Sequence, residues 1–387
     1  MGSGAIRTIG IVGGGQLGRM LAQAARRLGL GVAVFDPDPQ APAAALADRH
    51  VRAPFDDLGA ALEFAAPCEL ITFEFENVPA ASLAELERLR PVRPSHRVLG
   101  ICRERIQEKG FLSESGFPVA PYRPVRSAAE ARAAAQALGP AAILKTAELG
   151  YDGKGQARLS AADQAEAAFL GLRCPAAVLE QVVPFERELS VIVARTPSGR
   201  TAVYPPMENR HVGGILDLTH FPARIPAELA RRAQEMGLAI AERLGVVGLV
   251  CAELFQVGDE LLVNELAPRP HNSGHATLEA AETDQFEQHL RAVLDLPLGS
   301  TAARQSAVMA NLLGDLWEPA GIDLAGCLSD PGVHLHVYGK AQARPGRKMG
   351  HLTVLDPDPV RGEARALAAR QRFARRPVES GRQPKAL

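Results

Sequence analysis

Two glutamates on neighbouring predicted strands are the residues of this sequence best placed for chemistry. Residues 249–257 and 261–269 each alternate apolar with other side chains, which predicts two antiparallel strands joined by a three-residue loop, 258–260. In that register Glu253 lies directly opposite Glu265 on one face of the hairpin. Two like charges so placed repel each other, so the simplest reason to keep them is Mg²⁺ bound between them, usually together with nucleotide phosphates. A solvated hairpin face is the alternative, but the flanking residues are apolar and the metal site is the preferred interpretation.

The composition is that of an ordinary globular protein with several domains. At 387 residues the chain is too long for one compact core, so two or three domains are expected. A formal net charge of −1 gives no sign of a nucleic-acid partner. No apolar run approaches the roughly 20 residues of a membrane span, and the N-terminus has no secretory pattern. The five cysteines are scattered without metal-type spacing, which favours a reducing cytoplasm.

The order of predicted elements indicates an α/β N-terminal unit followed by mixed α+β units. Apolar strands at 9–12, 31–35 and 70–73 alternate with helical patterns, which predicts a parallel sheet covered on both faces. Further strands are predicted at 142–145, 178–180, 188–193, 308–313 and 333–338, with helices at 127–138 and 226–244. The predicted domains are 1–106, 107–297 with a flap subdomain at about 118–178, and 298–387.

The first glycine loop, Gly13–Gly18, matches the G-x-G-x-x-G pattern between a strand and a helix. Asp36 ends the next strand, where a ribose-binding acid lies in dinucleotide-binding folds. Taken alone, this pattern favours an NAD-dependent dehydrogenase. The pattern needs only a tight turn or a backbone close to a ligand, however, and no hydride-transfer pair follows it. Dinucleotide binding is therefore the minority interpretation.

A second glycine-rich segment, the flap Gly150–Gln156, belongs to a longer series of nucleotide-binding signals. Lys145 closes the strand before the flap. The backbone N–H groups of the flap could wrap phosphate oxygens. Glu180 to Val183 could present backbone groups to a base, and Glu188 could hold a ribose hydroxyl. Each signal is weak alone. Their order, ending in the two hairpin glutamates, is the order of parts in ATP-grasp enzymes.

Five segments together resemble the N5-carboxyaminoimidazole ribonucleotide synthetases, ATP-dependent carboxylating enzymes of purine synthesis, over nearly the whole length. The segments are 13–20, 73–79, 150–156, 264–275 and 338–351. The resemblance implies an ATP-grasp fold with an N-terminal Rossmann-like domain and a small C-terminal domain. Many ATP-grasp proteins carry Asn two residues after the second metal glutamate, where this chain has Ala267. The metal shell is then expected to depend on Glu253, Glu265, phosphates and water.

The resemblance also implies a set of binding residues. ATP would be held by Arg105, Lys145, Gly150, Tyr151, Asp152, Gly153, Lys154, Gly155, Gln156, Glu180, Gln181, Val182, Val183, Glu188, His211, Asn264 and Glu265. Bicarbonate and the ribonucleotide would be held by Gln16, Leu17, Glu74, Arg269, His271, Asn272, Ser273, Lys340, Arg347 and Lys348. Asp152, Arg269 and Lys340 are the expected catalytic residues, with Asp152 as acceptor of a proton. His275 is expected to be structural as readily as functional.

The expected reaction is the carboxylation of aminoimidazole ribonucleotide through carboxyphosphate, with ATP and Mg²⁺ as cofactors. The resemblance further implies a cytoplasmic homodimer with no nucleic-acid or membrane partner. Three alternatives remain at this point: a formate-dependent glycinamide ribonucleotide transformylase, the dehydrogenase suggested by the first glycine loop, and a silent ATP-binding regulator. The retained glutamate pair and the basic group near residue 347 argue against the last.

Overall fold

Three β-sheets organise the residues that the structure describes. The computed structural model describes residues 8–139, 141–148, 150, 153–317 and 321–374. The predicted flap residues Tyr151 and Asp152 and the tail beyond 374 lie outside these ranges. Within them, no helix is both long enough and apolar enough to span a membrane.

The N-terminal sheet is parallel, with strand order β3-β2-β1-β4. The N-terminal unit contains β1 (Thr8–Val12), α1 (Gln16–Arg27), β2 (Gly31–Phe35), β3 (Arg49–Val51), α2 (Leu58–Ala65), β4 (Leu70–Phe73), α3 (Ala80–Leu89) and α4 (His96–Arg103), and α5 (Arg105–Glu114) follows it. β1, β2 and β4 confirm the strands predicted here, because short apolar runs buried on both faces are typical of a parallel sheet. The short strand β3, with a charged and a polar residue among its three, carried no such signal.

A small antiparallel sheet of order β5-β8-β6-β7 forms the second unit. It contains β5 (Tyr122–Val125), α6 (Ala128–Leu138), β6 (Ala142–Thr146), β7 (Gln156–Leu159), α7 (Ala165–Leu172) and β8 (Ala177–Gln181). Ser127 caps α6 as predicted, since its side chain accepts the Glu130 N–H at 3.1 Å. The flap connects β6 to β7, so this sheet carries it.

The third sheet has nine antiparallel strands, all between Arg187 and Leu355. Eight follow the order β14-β13-β9-β11-β12-β15-β17-β16, and β10 pairs with β9. They are β9 (Arg187–Arg195), β10 (Thr201–Val203), β11 (Met207–Val212), β12 (Ile215–Phe221), β13 (Gly248–Val257), β14 (Glu260–Ala267), β15 (Ala307–Leu313), β16 (Val333–Val337) and β17 (Lys348–Leu355). The pairing of β12 with β15 joins the hairpin strands and the C-terminal strands in one hydrogen-bonded sheet.

Five helices accompany this large sheet in the described ranges. They are α8 (Ala227–Leu244), α9 (Thr277–Ala280), α10 (Gln285–Val293), α11 (Leu324–Cys327) and α12 (Pro359–Phe373). α8 ends as predicted at Gly245, which adopts a left-handed conformation with φ of 67°. Asp284 caps α10, accepting the N–H groups of Phe286 and Glu287 at 2.9 Å each. The five cysteines are free thiols, as expected.

Candidate active site

The two hairpin glutamates lie opposite each other, as predicted, but the hairpin reaches this register differently. β13 and β14 are joined by a two-residue turn at 258–259, so the predicted three-residue loop is wrong. Without interruption, that turn would set Glu253 opposite Asn264. A β-bulge leaves Asn264 as an extra residue and restores the pairing of Glu253 with Glu265.

Glu253 is held as a carboxylate by neighbouring side chains. His271 Nε2 lies 3.0 Å from Glu253 Oε1, and the Asn264 amide reaches Oε2 at 3.4 Å. Burial alone would raise the pKa of Glu253, but the hydrogen bond and charge of His271 and the charge of His211 lower the pKa to about 2. Glu253 is therefore negatively charged at neutral pH, and its carboxylate oxygens can serve as ligands for a cation.

α5 lies against the hairpin and supplies charged side chains to it. Arg105 Nη1 is 3.0 Å from Glu265 Oε2. Glu108, which is 1% exposed, accepts the Leu266 N–H at 2.6 Å. Burial and the nearby Glu265 charge raise the pKa of Glu108 to about 8. This helix thus fixes the outer edge of β14 beside the metal candidates.

Lys109 and Lys145 converge on one carboxylate, that of Glu180. Lys145 Nζ donates to Glu180 Oε2 at 2.9 Å, and Lys109 Nζ lies 3.6 Å from Oε1. Lys109 is fully buried and also donates to the carbonyl of Asn264, the bulge residue, at 2.9 Å. Burial would raise the pKa of Glu180, but these two ammonium groups lower it. The hairpin bulge and the Glu180 strand are thereby tied together.

A cavity of about 410 Å³ opens beside this charged group. Its lining includes Lys145, Glu180, Gln181, Val182 and Val183, all predicted nucleotide contacts. Phe185 and Phe255 also line it, stacked with ring centroids 4.6 Å apart and 5° between planes. A cleft of this volume with apolar walls and a few charged groups suits a nucleoside.

A second cavity of about 350 Å³ shares Phe185 with the first. Glu188 and His211 form part of its wall and are hydrogen-bonded to each other through His211 Nδ1. Burial would lower the pKa of His211, but the Glu188 hydrogen bond and charge raise it. The two predicted nucleotide contacts are therefore neighbours.

The described part of the flap approaches the tip of the β11–β12 hairpin. Gly153 and Gly155 have φ of 76° and 69°, a conformation that favours glycine. A Cβ at Gly153 would lie 3.1 Å from the carbonyl oxygen of Gly213, at the tip of the β11–β12 hairpin. Lys154 and Gln156 are exposed, and Gln156 pairs with Lys145 across β6 and β7. The predicted roles of Tyr151 and Asp152 fall on residues outside the described ranges.

The amides of the first glycine loop are bonded to carboxylates of the protein itself. Glu74 accepts the N–H of Gly15 at 2.7 Å and that of Gly18 at 2.9 Å. Asp36 accepts the N–H of Gly14 at 2.6 Å. A dinucleotide pyrophosphate needs these N–H groups, so the geometry speaks against the dehydrogenase alternative.

Glu74 also interacts electrostatically with two predicted substrate-binding cations, Lys340 and Arg269. Burial raises the pKa of Glu74, and the Lys340 charge opposes that shift. The Arg269 guanidinium is within electrostatic reach of Glu74 and pairs with Glu76 at 2.7 Å. Gln16 is half-buried in the first turn of α1, whereas the Leu17 side chain lies in the N-terminal core.

The loop after Arg269 carries unpaired polar atoms. Both side-chain polar atoms of Asn272 are buried without a hydrogen-bond partner among the described residues. Ser273 is buried, and its hydroxyl lies 2.8 Å from Nδ1 of His271. Buried polar groups are rarely left unpaired, so Asn272 is a candidate contact for a polar ligand.

The C-terminal basic loop connects β16 to β17. Lys340 Nζ donates to the Lys348 carbonyl at 2.8 Å, and Arg347 Nη1 donates to the Gln342 carbonyl at 2.8 Å. The rings of His275 and His351 stack at 4.7 Å, which packs β17 against the loop after Arg269. The strand that follows the basic loop therefore packs against the segment that also carries His271.

Several residues of this candidate site were not predicted from the sequence. They are Glu76, Glu108, Lys109, Phe185, Phe255 and Gln285. Glu108 and Lys109 offered one signal, since two charges on the buried face of a helix are rare unless paired. The other contacts join distant parts of the chain and leave no local pattern.

Comparison with protein families identifies the class. Residues 110–286 match the ATP-grasp domain, and residues 6–103 match the ribonucleotide synthetase preATP-grasp domain. The chain is therefore an ATP-grasp enzyme. Residues 307–365 match the phosphoribosylaminoimidazole carboxylase C-terminal domain.

Individual relatives narrow the class to one family. The N5-carboxyaminoimidazole ribonucleotide synthase of Brucella melitensis is 47% identical over 356 residues, covering 90% of this chain and 96% of the relative. The N5-carboxyaminoimidazole ribonucleotide synthetase structure from Thermus thermophilus has 43% identity and a TM-score of 0.88, covering 96% and 100% of the two chains. The synthase from Aspergillus clavatus in complex with ADP and 5-aminoimidazole ribonucleotide has 32% identity and a TM-score of 0.87, covering 95% and 99%. This chain belongs to the N5-carboxyaminoimidazole ribonucleotide synthase family.

Proposed function

We propose that this chain uses ATP and bicarbonate to carboxylate 5-aminoimidazole ribonucleotide, giving N5-carboxyaminoimidazole ribonucleotide, ADP and phosphate in purine biosynthesis. The observation that carries the proposal is the opposed Glu253–Glu265 pair. It connects through α5 to a nucleoside-sized cavity and through His271 to a loop with unpaired polar atoms. Similarity to the family over 90% or more of this chain supports the same assignment.

The donor set of the hairpin fits Mg²⁺. Glu253 and Glu265 offer carboxylate oxygens, the ligands that this hard cation prefers. No cluster of three or more acidic, histidine or cysteine ligands exists within the described ranges, so phosphates and water would complete the shell. When bound, Mg²⁺ supplies positive charge to the transferring phosphoryl group.

On the nucleotide side, the protein would position and neutralise ATP. The Glu180–Val183 segment would hold the base, and Glu188 with His211 would hold the ribose. Arg105, Lys145 and the flap would contact the phosphates, together with Lys154. These cations offset the charge spread over the phosphoryl oxygens, and the closed flap excludes water.

In the first chemical step, a bicarbonate oxygen attacks the γ-phosphorus of ATP and ADP leaves, which gives carboxyphosphate. The exocyclic amine of the ribonucleotide then forms a bond to the carboxyl carbon, phosphate leaves, and the amine loses a proton. Arg269 would hold the anionic intermediate beside Asn272. Asp152 is the proposed proton acceptor, and Lys340 lies on the ribonucleotide side with Arg347 and Lys348 for the sugar phosphate.

The test is an ADP-release assay with ATP and Mg²⁺, in which bicarbonate and aminoimidazole ribonucleotide are added separately and together. Full release should need both, and formate should not replace bicarbonate. Glu265→Gln should lower turnover by at least about 100-fold, because it removes charge where the phosphoryl transfers. Glu260→Gln, on the same strand but exposed at the turn, is the matched control and should leave turnover unchanged. Near-normal activity of Glu265→Gln would refute the metal assignment.

We also propose a cytoplasmic homodimer. Sedimentation velocity at micromolar concentration should give a species of twice the 41.1 kDa chain mass. A single species at the chain mass would overturn the dimer and leave the proposed reaction untouched.

A further inference from the structure

One buried carboxamide pairs with the backbone of His271. Gln285, at the first turn of α10, is fully buried. Its Oε1 accepts the His271 N–H at 2.8 Å, and its Nε2 donates to the His271 carbonyl at 2.7 Å. Both backbone groups of one residue are thus held by one side chain, in the manner of a neighbouring β-strand.

The loop around His271 is closed onto α10 by further contacts. The Thr277 hydroxyl accepts the Gln285 N–H at 3.0 Å and donates to the Gly274 carbonyl at 2.6 Å. Gly274 lies so close to Gln285 that a Cβ there would collide with Oε1. The position of the His271 backbone is therefore set by α10.

The His271 side chain carries this position to the candidate metal site. Its Nε2 meets Glu253 Oε1 at 3.0 Å, while its Nδ1 lies 2.8 Å from the Ser273 hydroxyl. A shift of the His271 backbone would move the imidazole away from Glu253. Groups that support the ligands of a reaction centre in this way set its geometry.

We propose that Gln285 is a positioning residue for the reaction, acting through His271 on Glu253. The inference rests on the proposed function. Gln285 would not touch substrate, so its loss should lower the rate of the chemical steps rather than weaken the binding of the nucleoside.

The same helix provides a matched control. Gln288, one turn along α10 and also fully buried, accepts the Gly299 N–H at 2.8 Å and donates to the Gly299 carbonyl at 2.7 Å. This is the same pairing made to a loop that carries none of the site residues. Gln285 and Gln288 therefore have the same side chain, are both buried and lie on the same helix. They differ in the loop whose backbone they bind.

The experiment compares Gln285→Glu with Gln288→Glu. A carboxylate accepts the backbone N–H but repels the carbonyl, so both variants should lose thermal stability to a similar degree. ADP release per folded molecule should fall about 10- to 100-fold in Gln285→Glu, because displacement of a reacting geometry costs this much. It should stay within about 2-fold of wild type in Gln288→Glu, and the Kd of ADP should be unchanged in both.

Gln285→Met, which keeps the side-chain length without either hydrogen bond, covers the case in which the glutamate variant does not fold. It should show the same loss of turnover with retained ADP binding. Equal turnover in the Gln285 and Gln288 variants would overturn the inference. If wild type itself lacks release dependent on bicarbonate and ribonucleotide, the proposed function fails instead.

Discussion

The two glycine-rich segments look alike in sequence and differ in the folded chain. In the first glycine loop, Gly13, Gly14 and Gly18 are buried, and three amides are bonded to Glu74 and Asp36. In the flap, Gly153 is exposed and touches the protein mainly at the tip of another hairpin. Glycine permits close backbone approach in both cases. What distinguishes the first glycine loop is that carboxylates from other parts of the chain, Asp36 and Glu74, accept its amide hydrogens.

The largest expected effect of a glycine substitution lies in the packed loop. A Cβ at Gly18 would lie 2.7 Å from the Gly13 carbonyl oxygen. Gly18→Ala should therefore cost about 1–3 kcal/mol through overpacking, although alanine within a helix normally stabilises. Differential scanning calorimetry should show a Tm lowered by several degrees. Gly100→Ala, in α4 with open space around its Cβ, should leave Tm equal or raised; a similar fall in both would contradict the packing argument.

A smaller effect, on rate rather than stability, is expected in the flap. Gly153→Ala places a side chain against Gly213 at a positive φ, and should reduce ADP release about 10-fold by displacing the flap. Gly199→Ala is the control, since Gly199 also has positive φ, 86°, in an open turn. Steady-state kinetics should separate the two variants while their Tm values change equally. Matching rates would show that the flap contact does not matter for turnover.

The smallest expected effect is a pH dependence of stability that arises from His289, in the packed region next to the first glycine loop. His289 is fully buried, its Nε2 lies 2.8 Å from the Thr72 hydroxyl, and burial lowers its pKa to about 3. The unfolded chain binds the proton below about pH 6.5 while the folded chain does not, so stability present above that pH is lost as pH falls. From pH 7 to pH 6 the loss should be below about 1 kcal/mol. Tm measured at both pH values should fall more in wild type than in His289→Gln; an equal fall would exclude His289 as the cause.

Local sequence patterns predicted those strands and helices that have a simple apolar pattern or a clear end signal. β4 occupies the predicted range 70–73, and α8 ends at Gly245, because apolar runs and a left-handed glycine are local signals. β11 was missed because polar residues such as Asn209 and His211 interrupt its apolar alternation. β17 was missed because it begins inside the basic motif at Lys348.

The predictable residues of the candidate site are those whose type alone indicates their chemistry. Glu253 and Glu265 were paired correctly although the turn was wrong, because the bulge at Asn264 compensates for the missing loop residue. No sequence pattern near Asn264 predicts the bulge. The Asn264 carbonyl accepts a hydrogen bond from Lys109, which lies on α5. Gln285 carries no local sequence signal of its contact, since its partner His271 lies 14 positions away.

The pairing of β12 with β15 has a mechanical consequence. One continuous ladder of backbone hydrogen bonds runs from the carboxylate hairpin to the strands that flank Lys340. The spacing between the Glu253–Glu265 pair and the basic loop that contains Lys340 is consequently set by one hydrogen-bonded frame. The small sheet that carries the flap shares no strand with that frame, and Lys109 ties it to the hairpin by contacting both the Glu180 carboxylate and the Asn264 carbonyl.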